Sequence, residues 1–452
     1  MGAAEIAVVA VLLVAYAAIS RSAERWPVSM PMLFVAAGAI TGVSGLVDVS
    51  ADSGAVALLA EVTLAVILFS DAVRIDLGRL RRSLDVPIRL LAVGLPLTIV
   101  LCGVMNSVLF PEFSIAQVAL LAAILAPTDA ALGAAVVEDT VVPIRERLAL
   151  IVESGVNDGL VVPVVAILTA VVLENGRSTV SWGGFVAAQV GGGLLLGVVI
   201  GGVAITVLRH SSRLGWSDPR YEQLATFAVP IVAVFAASAI GSNSFIAAFV
   251  AGLTFGSLGH RHDDVGIASE SPVQDFSDET EDGRRTSLAT RLGSFTEDAA
   301  QLLGVAAFFV FGNVLLVDAI EAISVPIVVC AVFTLTIGRM LPVWISLTRT
   351  GMRAPSRLFI GWFGPRGLAS IVFGLLLLED VERAGLPGTL ADEVLAVVAL
   401  TVTLSVVLHG ATAAVGATIY GRWATANADA VAHMGASMSD VDLPRSRWSM
   451  RR

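Results

Sequence analysis

Apolar runs long enough to cross a bilayer recur from one end of this sequence to the other, divided by short polar segments. A hydrocarbon core about 30 Å thick takes about 20 residues of helix. Thirteen runs of that order begin near Glu5, Pro31, Ala55, Val86, Ile115, Glu146, Gly183, Tyr221, Ser244, Ala299, Ala319, Ser356 and Leu390. Inside lipid every main-chain polar group must be satisfied within the protein, which apolar runs of this length achieve as helices. The sequence therefore predicts an all-α polytopic membrane protein. A hydrophobic content of 56% with a mean hydropathy of +0.85 excludes a soluble globule.

Orientation follows from arginine alone, because none of the 28 basic residues is lysine. Arginines follow the odd-numbered runs: Arg21 and Arg25, Arg74 to Arg82, Arg145 and Arg147, Arg209 to Arg220, Arg261 to Arg291, Arg349 to Arg357, and Arg422 onward. The even loops carry only Arg177 and Arg383, so the positive-inside rule puts the amino terminus outside and the carboxyl terminus in the cytoplasm of a cell with this protein in its plasma membrane. The first run lacks a basic n-region and a small-residue cleavage site and is expected to be retained. Cys102 and Cys330 both fall within apolar runs, which argues against a structural disulfide. A net charge of -10 argues against nucleic-acid binding.

Two runs are interrupted by proline at corresponding places: the fifth in Ala126-Pro127-Thr128-Asp129-Ala130, the twelfth in Gly364-Pro365-Arg366-Gly367. Proline removes a main-chain donor and clashes with the preceding turn, so both helices should unwind at membrane depth. Paired breaks point to a transporter built from inverted repeats, here runs one to six and eight to thirteen with the seventh as connector. The expected organisation is scaffold helices over 1–85, a transport half with the ion site over 86–175, connector and scaffold over 176–259, and a disordered cytoplasmic loop over 260–297. A scaffold helix over 298–318, a second transport half over 319–420 and a cytoplasmic tail over 421–452 complete it.

The chemistry is expected in the sixth run, where Glu153, Ser154, Asn157 and Asp158 lie mid-span. Each ionised side chain at the bilayer centre costs about 2.5 to 3.5 kcal/mol, so two acids there point to an ion or proton site. At 100° per residue the four fall within an arc of roughly 140° and can face one cavity. Thr128, with a carbonyl freed by unwinding, and Asp129 should face them from the fifth run. Arg366, caught within a span, needs a counter-charge, and Glu153 is the candidate; the bland reading is that Arg366 only neutralises half-helix ends. Arg339 is expected to snorkel to the inner interface. With Glu153 so held, Asp158 remains for a proton or a cation but not both, which is exchange. Asn157 in place of a further acid predicts one-for-one, electroneutral stoichiometry.

Other polar positions are read as structural. Asp71 and Asp76 should form interfacial ion pairs, His260 and His262 should be solvated, and Asn243 and Asn313 should cap or bridge helices. No phosphate loop, HExxH motif or serine elbow is present.

Together, Pro127-Thr128-Asp129, Glu153-Ser154-x-x-Asn157-Asp158 and Gly364-Pro365-Arg366-Gly367 resemble the NhaP and sodium/proton exchanger branch of the monovalent cation:proton antiporters, over Glu5 to about Tyr420. The resemblance implies the NhaA-like antiporter fold, a homodimer of thirteen-helix protomers with two broken crossing helices. It also implies a transport domain that moves like an elevator. Carried over, Asp158 is the exchange carboxylate, Glu153, Ser154, Asp129 and the Thr128 carbonyl surround Na+ or Li+, and Asn157 helps position a bridge between Glu153 and Arg366. Ala130 departs from the proline often found there. The function expected is Na+/H+ exchange without a cofactor or enzymatic activity. A sodium-coupled symporter of an organic solute is the alternative, and a channel or intramembrane enzyme would need a polar stripe or a nucleophile with a base, neither of which is present.

Overall fold

The computed structural model describes residues 3–23, 28–46, 54–75, 85–129, 132, 134–137, 139, 141–174, 184, 187–260, 288–385 and 388–427. Asp76, Ala130, Arg177, His262, the acidic stretch 261–287 and the tail arginines from Arg445 onward lie outside them. Everything regular among the described residues is helical. In chain order the helices are α1 (Ala3–Ala23), α2 (Met30–Val43), α3 (Gly54–Val73), α4 (Asp85–Leu109), α5 (Ile115–Ile124), α6 (Ala134–Val137) and α7 (Ile144–Glu174). There follow α8 (Ala187–Arg213), α9 (Pro219–Ala239), α10 (Ser244–His260), α11 (Leu288–Asn313), α12 (Leu315–Glu321), α13 (Val325–Leu335) and α14 (Ile337–Ser346). Last come α15 (Ala354–Trp362), α16 (Leu368–Arg383) and α17 (Thr389–Ala426).

Joining the pairs α5/α6, α11/α12, α13/α14 and α15/α16 across their short breaks gives thirteen helical runs among the described residues, as the sequence predicts. Two boundaries move. The tenth run begins at Leu288 rather than near Ala299, so residues 288–297 of the loop expected over 260–297 are helical, and the eleventh begins at Val325 rather than near Ala319. The polar stretch from Leu288 to Asp298 conceals the start of the tenth run, because Thr290, Arg291, Glu297 and Asp298 dilute its apolar signal.

The chain forms two units: one of 1–64, 85–181 and 301–452, the other of 65–84 and 182–300. In the smaller unit Gly193, Gly197 and Gly201 of α8 are buried, while Leu195, Val199, Val203 and Val207 are exposed. That polarity inverts a soluble helix and suits a lipid-facing one. The bare glycine faces lie against the main chain of α10 at Asn243, Ala247 and Ala251. On α10, Gly252 and Gly256 in turn approach Phe69 and Val73. Small residues let helices approach closely where lipid supplies no hydrophobic drive.

The larger unit uses the same device where Gly38 and Gly42 of α2 meet the α11 main chain at Phe309 and Asn313. Near the start of α7, Glu146 accepts a hydrogen bond from Tyr420 of α17 (2.7 Å), whose hydroxyl also bonds Ser356 of α15 (2.7 Å). α7 carries Pro163 without a break. The α13/α14 discontinuity falls at Thr336, whose backbone leaves the helical region at φ -109° and ψ -94° while its hydroxyl bonds the Val332 carbonyl (2.6 Å). Its consequence is that Arg339 sits in the first turn of a new helix, deep in the protein. Cys102 and Cys330 are both free and buried.

Candidate ion site

The two proline breaks meet inside the larger unit. The Asp129 amide donates to the Pro365 carbonyl (2.7 Å), and the Asp129 carboxylate accepts from the Leu368 amide (3.3 Å) at the start of α16. Arg366 answers from the other side: its guanidinium donates to the carbonyls of Ala126 and Pro127, the latter at 3.0 Å. Ser370 adds a bond to the Ile124 carbonyl (2.7 Å). Each break thus satisfies the other's orphaned groups, with a negative side chain at a helix amino end and a positive one at a carboxyl end, as the helix dipoles require.

The two glycines around this arginine serve different neighbours. A Cβ on Gly364 would collide with the Arg339 guanidinium, and one on Gly367 with the Asp129 carboxylate. Gly-Pro-Arg-Gly therefore encodes two clearances, a break and a cap.

On α7, Glu153, Ser154, Asn157 and Asp158 are all at most 4% exposed. Ser154 donates to the Thr128 carbonyl (2.7 Å) and Asn157 to the Thr128 hydroxyl (2.7 Å), so α7 is tied to the first break at one residue. A carbonyl has two lone pairs, which leaves Thr128 able to accept a second partner. Asn157 Oδ1 has no hydrogen-bond partner among the described residues. Asp158 stands one turn beyond Ser154 on the same face, the i, i+4 relation.

Three expectations are corrected. Glu153 is paired with Arg339, not Arg366, through two parallel bonds of 2.5 and 2.7 Å between residues only 2% and 3% exposed. Arg339 accordingly does not snorkel: the Thr336 break places it in the interior, where a bidentate carboxylate satisfies it. Arg366 has the role set aside at first, neutralising half-helix ends. Asn157 correspondingly binds Thr128 and not a Glu153 to Arg366 bridge. The signal for Arg339 was present, since Thr336, Gly338 and Pro342 crowd a helix-disturbing set into its neighbourhood. Ser370 and Ser405, which donates no sequence signal beyond a helical serine, were also missed. Thr128, Asp129, Glu153, Ser154, Asn157, Asp158, Pro127, Pro365 and Arg366 are all brought to this one region.

The arrangement offers a carboxylate, a hydroxyl and an unwound carbonyl on facing elements, a donor set for a small hard cation. Residues 8–416 match the family model described as sodium/hydrogen exchanger, transmembrane. The chain is 25% identical over 375 residues to the K(+)/H(+) antiporter NhaP2 of Shewanella baltica, covering 82% of this chain and 59% of that protein. It is 26% identical over 354 residues to the Na(+)/H(+) antiporter NhaP of Pseudomonas aeruginosa, with 77% of each covered. The chain thus spans about 59% of the length of the NhaP2 proteins it matches. The sodium proton antiporter MjNhaP1 of Methanocaldococcus jannaschii shares the fold, with a TM-score of 0.71 at 19% identity over 92% of this chain and 98% of that one. By the family model that runs through nearly all its helices, the chain belongs to the transmembrane sodium/hydrogen exchangers.

Proposed function

We propose that this protein exchanges a monovalent cation for a proton across the membrane, one for one, by alternating access at Asp158. The observation that carries the reading is the bidentate hold of Arg339 on Glu153. It engages both oxygens of one α7 acid, which supports the other as the exchanging carboxylate. Ser154, Thr128 and Asp129 complete the cation's surroundings, and competition between cation and proton for Asp158 couples the two fluxes. With Asn157 in place of another acid, both loaded states carry the same charge, and transport is electroneutral.

The cation proposed is Na+, with Li+ as a second substrate. Relatives carry both ions in their names, K(+)/H(+) for the Shewanella protein and Na(+)/H(+) for those of Pseudomonas aeruginosa and Schizosaccharomyces pombe. The protein is proposed to be a homodimer in the plasma membrane with its amino terminus outside. The test is purified protein in liposomes with an imposed pH gradient, lumenal pH followed by dye as Na+, Li+, K+ or choline is added, with and without valinomycin. Proton movement on adding Na+ or Li+, indifferent to voltage, is expected. Response to K+ alone overturns the ion assignment, and silence with every cation overturns exchange.

A further inference from the structure

His409 of α17 lies outside the cation's surroundings, yet it is 1% exposed and connected to them. Its Nδ1 is 3.1 Å from the Ser405 hydroxyl and 3.0 Å from the Ser405 carbonyl, and its ring packs on the Trp362 indole at 5.1 Å between centroids. The Ser405 hydroxyl also accepts a 2.6 Å bond from the Arg366 amide. That amide and the Pro365 carbonyl are the two ends of a single peptide group. The carbonyl end holds the Asp129 amide at 2.7 Å. A peptide group is planar and rigid, so fixing its N–H fixes the direction of its C=O.

We propose that His409 is a positioning residue for the exchange site, acting through Ser405 and the Pro365–Arg366 peptide on the main chain at Asp129. With Nδ1 protonated the ring donates to the Ser405 carbonyl, and with Nδ1 unprotonated it accepts a hydrogen bond from the Ser405 hydroxyl; the second tautomer is the one that orients the serine. Ser405 then has no reason to bond back to the carbonyl one turn earlier, the usual fate of a helical serine, and presents its lone pairs to Arg366. Four groups from α17 to Asp129 are thereby linked in one chain of bonds, each polarising the next. Without it the peptide between the two glycines of the second break loses the bond at its N–H end, and the acceptor of the Asp129 amide is held less firmly.

The transport arm rests on the exchange reading above, so a second arm does not. Hydrogen–deuterium exchange on purified wild type, Ser405→Ala, His409→Leu and His409→Asn follows the Arg366 amide. Loss of its acceptor in Ser405→Ala, or of the group that orients that acceptor in His409→Leu, should speed exchange about tenfold, while His409→Asn, whose Oδ1 can accept a hydrogen bond from the serine hydroxyl, stays near wild type. In liposomes the first two variants should raise the cation KM several-fold with little change in maximal rate, and the double variant should be no worse than either single one. Unchanged amide exchange in His409→Leu overturns the inference, and so does faster exchange with an unchanged KM. If the wild type moves no protons with any cation, the exchange reading fails while the amide arm still decides whether His409 orders the break.

Discussion

Arg339 and Arg366 are buried in the same unit, at 3% and 0% exposure, and are satisfied in unlike ways. Arg339 meets a full negative charge in parallel, two nitrogens to two oxygens. Arg366 meets only main-chain carbonyls at the end of α5, and its Nε and Nη2 have no hydrogen-bond partner among the described residues. The difference separates two tasks. One arginine holds both oxygens of a buried acid, whereas the other satisfies carbonyls left open by the break at Pro127.

Four substitutions would sharpen that division or break it. The largest effect is expected for Asp158→Asn, which should abolish cation-driven proton movement in liposomes while the purified protein keeps its thermal transition. Normal exchange by this variant would show that Arg339 does not leave Asp158 as the exchanging acid. Next is Arg339→Ala, which strands Glu153 in the interior at a cost of about 3 to 5 kcal/mol. Replacing both partners together, as Glu153→Leu with Arg339→Met, should recover most of that loss in a thermal-shift assay. If the double variant is as unstable as the single one, the pair is not the reason for the defect.

A smaller loss, about 1.5 to 3 kcal/mol, is expected for Arg366→Lys, since a point charge cannot span two carbonyls as a planar fork does. No companion substitution at Glu153 should rescue it, in contrast to Arg339. Recovery on adding Glu153→Leu would restore the pairing expected from sequence. The smallest effect is expected for Gly364→Ala, about 1 to 3 kcal/mol, because the new methyl meets the end of a long side chain that can partly shift. Stability equal to wild type would mean that Arg339 does not need the clearance.

Much of this was legible in the chain. The thirteen runs, both breaks and the acid pair of α7 follow from hydropathy, proline and the cost of charge in lipid. What failed was the partner of Glu153. Sequence places Arg366 mid-span and Arg339 toward a span's end, so distance along the helix favoured Arg366. The Thr336 break shifts Arg339 inward by restarting the helix, and that rests on a local departure of the Thr336 backbone, which no periodicity reports. The role of Asp129 as a cap for α16 was likewise hidden, because it needs two segments 239 positions apart to meet.

That separation bears on synthesis. The carbonyls of Ala126 and Pro127 wait for an arginine 240 and 239 positions later, and Glu153 waits for one 186 positions later. At translation rates of roughly 5 to 20 residues per second, the first half spends roughly 10 to 50 s in the membrane with its break open and its acid unpaired. Quality control therefore has a defined window in which the nascent chain looks defective. A chain stopped just before Arg339 should be cleared rapidly in pulse-chase, and one carried past Gly367 to the end of α17 should persist.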